Sequence, residues 1–314
     1  MSEIYDSVED LVGHTPLVKL HKLMKKFNLA GNVLGKCEFY NPLFSIKDRI
    51  ALNMINKAPF SKINDDTVFI EATSGNTGVA LAAFCAYRGY KLVIVMPENM
   101  TREKIALIRQ FGAEVMLTPA AEGMAGALKK VDMLKQRSAN IIEFKQFENP
   151  ANVEAHQLTT AVEIMEDTEG AIDALVCGVG TSGTLTGIAS TLKSCNPDLY
   201  VMAVEPAESP VLSGGEKGAH QIGGIGAGFV PPFYRPELVN EVFKVATQKA
   251  FEMSEIVART EGLPIGVSAA AAVCGALDLA SRPEFEDKNI VVVLPDSIER
   301  YLSNDFFNKK EEAV

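Results

Sequence analysis

Short, β-branched and mostly apolar runs alternate with longer helical stretches along most of this 314-residue chain. The runs are TVFIE (67–71), KLVIVM (91–96), EVMLT (114–118), NIIEF (140–144), ALVCG (174–178), YVMAVE (200–205) and NIVVVL (289–294). Continuous apolar runs of this length suit strands covered on both faces, as in parallel sheets. Helical stretches fall between them at 76–88, 101–111, 122–137, 149–166 and 183–194. The alternation predicts right-handed βαβ units and hence an α/β fold of doubly wound, mostly parallel sheets. A boundary near residue 147 would leave three to four strands on each side. The expected organisation is a smaller, mobile N-terminal domain over 41–146 and a larger one over 147–314, joined by 11–35. The Gly/Pro-rich interval 209–236 is too long for a plain connector, and such loops in compact folds are usually functional or mobile.

A net charge of −10 disfavours a nucleic-acid partner. The longest apolar runs, such as LVIVM (92–96) and IVVVLP (290–295), are too short to cross a bilayer. The acidic start MSEIYDSVEDLVG lacks the basic and apolar regions of a signal peptide. Five scattered cysteines without a CxxC pair, and four histidines that do not cluster, point to a reduced, cytoplasmic chain with no structural metal.

Three turns carry chemistry. EATSGNTGVALA (71–82) follows a strand and opens a helix, so free N–H groups and the hydroxyls of Thr73, Ser74 and Thr77 surround Gly75 and Asn76. It suits a carboxylate or phosphate, and ordinary Ser/Thr capping explains it equally well. CGVGTSGTLTGIA (177–189) contains G-x-G-x-x-G at Gly178, Gly180 and Gly183. Glu205 ends the next strand, where a dinucleotide fold places its ribose-binding acid, so a nicotinamide-dependent dehydrogenase is a real alternative. Against it stand the hydroxyls of Thr181, Ser182, Thr184 and Thr186, which better suit the three terminal oxygens of a phosphate monoester. In EGLPIGVSAAAAVCGA (261–276), Ser268 and a run of alanines indicate a helix start packed against something flat.

Lys47 stands in NPLFSIKDRIA (41–51), in an apolar stretch one position before Asp48–Arg49. A surface lysine is the commoner fate. A monoester cup, a carboxylate cup and a lysine in an apolar setting share one explanation, pyridoxal 5′-phosphate, with Lys47 as the Schiff-base amine kept neutral by desolvation.

The chain resembles the cysteine synthase (O-acetylserine sulfhydrylase) family of fold-type-II pyridoxal phosphate enzymes, which includes the cystathionine β-synthase core. LVGHTPLVKL (11–20), NPLFSIKDRIA, EATSGNTGVALA, MPENMTREK (96–104), FGAEVMLTP (111–119), QFENPANVEAHQLTT (146–160), GVGTSGTLTG, GGIGAGFVP (223–231) and LPDSIERYLS (294–303) fall in the family's order. Asn-Thr-Gly at 76–78 points to this branch rather than to threonine deaminases or serine racemases. The resemblance implies a tryptophan synthase β-like fold with the cofactor in an interdomain cleft.

It also implies a role at each matching position. Lys47 matches the Schiff-base lysine, and Asn76 the residue facing the cofactor's ring hydroxyl. Gly180, Thr181, Ser182, Gly183 and Thr184 match the phosphate loop, and Ser268 the residue at the pyridine nitrogen. Thr73, Ser74, Gly75, Thr77 and Gln146 match the holders of the substrate α-carboxylate, and Gly224 a loop at the active-site mouth. The implied reaction forms L-cysteine and acetate from O-acetyl-L-serine and sulfide through an aminoacrylate, with Lys47 taking the α-proton. The resemblance further implies a homodimer and, in some members, a complex with serine acetyltransferase.

This sequence departs from the family pattern at Ser182 (usually Gly), Ala161–Val162 (commonly Gly-Pro), Ala269 (usually Ser) and Asp296-Ser297-Ile298 (typically a small residue and Gly). These bear on substrate choice, leaving O-phosphoserine, L-serine or L-cysteine, the last with sulfide release, as alternatives. A catalytically silent paralogue acting as a binding partner is a further class, opposed by intact Lys47, Asn76 and Ser268. No regulatory or haem-binding extension is expected.

Overall fold

The protein is described from a computed structural model over residues 4–304 and Phe306. Its strands are β1 (Leu17–Lys19), β2 (Asn32–Cys37), β3 (Val68–Ala72), β4 (Lys91–Pro97), β5 (Glu114–Thr118), β6 (Ile141–Glu143), β7 (Ala174–Gly178), β8 (Tyr200–Pro206), β9 (Glu241–Val245) and β10 (Asn289–Leu294). The helices are α1 (His21–Phe27), α2 (Lys47–Asn56), α3 (Asn76–Tyr87), α4 (Arg102–Gln110), α5 (Gly123–Lys135), α6 (Ala151–Ala155), α7 (Ala161–Asp167), α8 (Gly183–Cys195), α9 (Thr247–Glu261) and α10 (Val267–Ala280). All seven runs read as strands from the sequence form strands.

The chain divides into two compact units. One comprises the residues up to Val12 and Lys47–Asn152, and the other Gly13–Ile46 and the residues from Val153 onward. The first holds a four-stranded sheet ordered β5-β4-β3-β6, parallel throughout. Ile70 and Ala72 of β3 and Val93 and Val95 of β4 cluster with Ala127 and Val131 of α5 on one face. The second holds a six-stranded sheet ordered β1-β2-β10-β7-β8-β9, in which only β1 runs antiparallel to its neighbour. Residues 11–35, expected as a joining segment, thus contribute β1, α1 and most of β2 to this second unit.

Strand alternation sorts the second core into two layers. Ile290, Val292 and Leu294 face a cluster with α9 and α10, while Val291 and Val293 face one with Ala161 and Ile164 of α7 and Leu185, Ile188 and Leu192 of α8. This explains the unbroken apolar runs, because both faces of each central strand are covered. The flat surface expected beneath the alanine run of α10 is the sheet itself. A Cβ on Gly275 would lie 2.9 Å from Met202 Sδ and 3.4 Å from Val176 Cγ1.

The stretch expected as one helix over 149–166 is interrupted. A π-helical turn, His156–Thr160, joins α6 to α7, and Thr159 Oγ1 donates to the Ala155 carbonyl within it. A Cβ on Gly187 of α8 would come within 2.6 Å of the Val153 carbonyl oxygen and 2.7 Å of His156 Cβ, so only glycine allows this approach. π-turns of this kind collect at functional sites.

β2 carries a charge into the core. Lys36 is fully buried and donates to the Thr15 carbonyl, while its Nζ lies 2.9 Å from Glu163 and 3.1 Å from Asp167. Glu163 is nearly buried and also accepts from the His14 and Thr15 amides, so removing the lysine takes away a charge partner at 2.9 Å from a desolvated carboxylate. Lys36→Ala is expected to lower unfolding free energy by about 3 kcal/mol, read as a shifted urea midpoint at unchanged slope.

Candidate active site

In the first unit, β3 delivers its chain into the turn 73–75, and α3 begins at Asn76. The N-cap is Gly75, in extended backbone, and no side chain caps the helix. The Ser/Thr capping that would account for this turn structurally is therefore absent at Gly75, although the Gly78 amide turns back to the Gly75 carbonyl at 3.2 Å. No described atom lies within 4 Å of where a Gly75 Cβ would stand. Thr73 is buried, its amide donating to the Val95 carbonyl and its Oγ1 accepting from the Gly75 amide at 3.2 Å. Gly78 lets α3 sit close to the turn, to α4 and to the sheet, since a Cβ there would reach 3.0 Å from Thr73 Cγ2, 3.2 Å from Ile108 Cδ1 and 3.4 Å from Ile94 Cγ2.

Gln146 is brought to this loop from beyond β6. Its Oε1 accepts from Thr77 Oγ1 at 2.8 Å, and its own carbonyl accepts from Asn152 Nδ2 at 2.7 Å. Gln146, 69 residues beyond Thr77, thus joins the loop that carries Thr73 and Thr77, with Ser74 and Asn76 half-buried. Lys47 is the first residue of α2. The two residues before it are anchored in the second unit, where the Ile46 amide donates to the Pro295 carbonyl at 2.8 Å and Ser45 bridges to Asp296.

Glu71, the residue that precedes this loop's Ala72, went unassigned from the sequence. It is fully buried, with Oε1 accepting from the Gln146 amide at 3.4 Å and Oε2 lacking any hydrogen-bond partner. Burial, reinforced by the nearby Glu143 charge, pushes its carboxyl up to about 8. The sequence signal was a carboxylate at the end of an otherwise apolar parallel strand.

In the second unit, β7 runs into the glycine turn and α8 begins at Gly183. A Cβ on Gly180 would lie 2.4 Å from the Gly224 carbonyl oxygen, and one on Gly178 would lie 2.7 Å from Ile225 Cγ2. Gly224 itself has φ 97°, and a Cβ there would sit 3.6 Å from Ser268 Oγ. The fold therefore gathers Gly180, Gly224 and Ser268 from three separate segments. Ser268 is buried in the first turn of α10, whose N-cap Gly266 also lacks a side-chain cap.

The hydroxyls of this turn divide. Ser182, the N-cap of α8, is held at φ 68°, and its Oγ lies 3.2 Å from Thr186 Oγ1. Thr186 in turn donates to the Phe233 carbonyl at 2.8 Å. Both hydroxyls point back into the protein, which corrects the expectation that all four serve an anion. Ser182 offers its amide, and its turned-in side chain does not crowd the loop. Left-handed backbone at a non-glycine residue costs roughly 1–2 kcal/mol, which the Ser182–Thr186–Phe233 chain offsets in part. Thr181 is buried and accepts from the Gly183 amide at 3.2 Å, and Thr184 is half-buried beside His156.

Glu205, the ribose-binding acid of the dinucleotide alternative, is already occupied. Its carboxylate accepts from the Leu212 amide at 2.8 Å, the Ser213 amide at 3.1 Å and Ser213 Oγ at 2.6 Å. It ties down the start of the 209–236 interval, whose Gly226 amide donates to the Val179 carbonyl next to the turn.

Among the described residues no cluster of side chains could hold a metal, and no helix is long and apolar enough to cross a membrane. Cys37, Cys85, Cys177 and Cys274 are buried, and burial raises each thiol, so none presents a thiolate near neutral pH.

Residues 8–296 match the family described as pyridoxal-phosphate dependent enzyme. A curated cysteine synthase from Staphylococcus aureus is 45% identical over 305 residues, covering 96% of this chain and 97% of that protein. A solved cysteine synthase (OASS) from Entamoeba histolytica superposes with a TM-score of 0.94 at 41% identity, over 98% of this chain and 91% of the other. A hydrogen sulfide-producing enzyme from Fusobacterium nucleatum gives a TM-score of 0.91 at 41% identity, over 95% of this chain and 100% of the other.

Glu71 makes stability depend on pH in a defined window. The unfolded carboxyl releases its proton near 4.5, whereas the folded one holds it to about 8. Between those values the folded state carries the extra proton, so stability falls as pH rises and levels off above about 8. Glu71→Gln is expected to flatten that slope and to melt higher than the parent at pH 9, as thermal unfolding across pH 5–9 would record.

Proposed function

The chain belongs to the pyridoxal-phosphate dependent enzyme family, and from that premise we propose that it forms L-cysteine and acetate from O-acetyl-L-serine and sulfide. The observation that carries the proposal is a pair of helix starts without side-chain caps, α3 and α8, each opening from a hydroxyl-bearing turn at the end of a parallel strand. One suits a carboxylate and the other a phosphate, the two anions this reaction must hold.

The residues fit the cofactor. Gly180, lacking a Cβ, lets the turn close against the Gly224 carbonyl, and the left-handed Ser182 starts the run of amides that opens α8. Gly180, Thr181, Ser182, Gly183 and Thr184 would hold the phosphate, Ser182 through its amide. Ser268 would face the pyridine nitrogen with a neutral hydroxyl, and Asn76 the ring hydroxyl. Pyridoxal phosphate, when bound, supplies the electron sink that acidifies the substrate's α-proton and eases loss of its β-substituent.

The chain's own groups do the rest. Lys47 Nζ is the attachment point and, when released, takes the α-proton as general base. Its mobility is confined to the side chain, because Ser45 and Ile46 are held by backbone pairing immediately before it. Thr73, Ser74, Gly75 and Thr77 surround the substrate carboxylate, with Gln146 fixed by Thr77, and so orient the Cα–H bond. Gly224 lines the mouth.

A second reading is sulfide release from L-cysteine. It is favoured by the Fusobacterium sulfide-producing enzyme, whose identity to this chain equals that of the Entamoeba cysteine synthase. Two assembly expectations accompany the resemblance, a homodimer and a complex with serine acetyltransferase. Light scattering and co-elution on a sizing column test them.

The deciding experiment is visible absorption of the purified protein, followed by product analysis with O-acetyl-L-serine plus sulfide and with L-cysteine alone. A yellow protein forming cysteine and acetate is expected. A yellow protein that only releases sulfide from L-cysteine installs the second reading, and a colourless protein that gains no colour with added cofactor overturns both. Lys47→Ala is expected to lose roughly 10²–10⁴-fold in turnover. Gly180→Ala, whose Cβ meets backbone rather than a yielding side chain, is expected to bind the cofactor at least about tenfold more weakly, by absorbance titration.

A further inference from the structure

His156 is the one fully buried histidine among the described residues, and its ring meets the glycine turn at Thr184. It lies in the π-turn between α6 and α7, with its ring between two threonine hydroxyls. Nδ1 is 2.9 Å from Thr160 Oγ1, and Nε2 is 3.1 Å from Thr184 Oγ1. Thr160 is also fully buried, so its bond to Nδ1 is shielded from solvent. The ring's position is enforced by packing. Gly187 admits the π-turn against α8, and the neighbouring Gln157 Nε2 donates to Ser190 Oγ of the same helix at 3.1 Å.

We propose that His156 is a positioning residue for the cofactor phosphate: its Nε2–H donates to Thr184 Oγ1, leaving the Thr184 hydroxyl proton to the phosphate. The proposal rests on the reading of residues 180–184 as the phosphate loop. A threonine hydroxyl has one proton. If Nε2 were bare, that proton would go to the ring, and Thr184 would turn lone pairs toward a dianion. With Nε2 protonated, Thr184 accepts from the ring and donates outward, whatever the charge of the imidazole. In the neutral ring Nδ1 is then an acceptor, filled by the Thr160 hydroxyl. Thr160, His156 and Thr184 form a one-way chain of donors that ends at the anion, each bond polarising the next.

Two measurements test this. The first uses the unmutated holoprotein with ¹⁵N-labelled histidine, the His156 signals being assigned by their loss in His156→Gln. A protonated Nε2 is expected, and Nδ1–H with a bare Nε2 overturns the proposal. The second compares dissociation constants for pyridoxal 5′-phosphate and for pyridoxal, which lacks the phosphate.

His156→Leu is expected to reduce the preference for the phosphorylated form roughly ten- to a hundredfold, with pyridoxal binding unchanged. His156→Gln, whose amide can place an N–H where Nε2 stood, is expected to keep most of that preference. Thr184→Val is expected to lose it, and adding His156→Leu to Thr184→Val should cost nothing further. An unchanged preference in His156→Leu, or losses that add in the double variant, overturns the proposal. A parent protein that binds pyridoxal as tightly as its phosphate would instead overturn the phosphate-loop reading.

Discussion

The carbonyl oxygen of Gly224 occupies the volume in which a side chain at Gly180 would begin, 2.4 Å from the ideal Cβ position. Two loops, one ending β7 and the other within 209–236, therefore run backbone against backbone. Much of the second unit's candidate site follows from that approach. Gly224 needs positive φ to present its carbonyl there, and in doing so it comes within reach of Ser268 on α10. Ile225 packs where Gly178 lacks a side chain, and the Gly226 amide closes onto the Val179 carbonyl. Glu205 braces the same interval by accepting three bonds from residues 212 and 213. A loop with few regular backbone bonds is thus held by side-chain and main-chain partners, which satisfies its polar groups and gives it a defined shape.

Both candidate anion sites show the same physical strategy. Hydroxyls beneath each loop are tied to the protein, and neither helix start carries a side-chain cap at its N-cap residue. At α8, Ser182 and Thr186 turn inward to each other and to the Phe233 carbonyl. At α3, Thr77 holds Gln146, and Thr73 accepts from Gly75. An amide fixed by its own helix cannot rotate away, so it offers a donor at little further entropic cost. Mobile side-chain donors would have to be ordered at each binding event, at about 0.5–1.5 kcal/mol apiece.

The central strands were legible because burial on both faces removes polar residues from them, and β3, β4, β7, β8 and β10 carry that mark plainly. β2 did not. Its NVLGKC holds a glycine, needed because a Cβ at Gly35 would collide with Leu294, and a lysine neutralised by Glu163 and Asp167, over 120 residues away along the chain. No local pattern announces such a partner. The three glycine or hydroxyl turns were legible as places, but the direction of each hydroxyl was not. Thr186 looked equivalent to Thr184 in sequence, yet one faces Phe233 and the other His156. Glu205 shows the converse error, a residue in the right place for ribose whose carboxylate belongs to its own loop.

Glu71 and His156 share what made them hard to read. Each is a titratable side chain buried next to a candidate anion site, and each meets the turn through an intermediary: Glu71 through the Gln146 amide, His156 through the Thr184 hydroxyl. A neutral carboxyl under the α3 turn avoids placing a negative charge beneath a carboxylate site. Burial, which raises the Glu71 carboxyl, supplies that neutrality without a counter-ion that would compete for the substrate. At the α8 turn the requirement is different, because the groups there must all donate in one direction. An imidazole can be donor on one nitrogen and acceptor on the other, and no other neutral side chain does so across a rigid ring. The two turns therefore call for different buried groups: burial sets the charge at Glu71, and the proposed chain of donors sets the direction of the proton at His156.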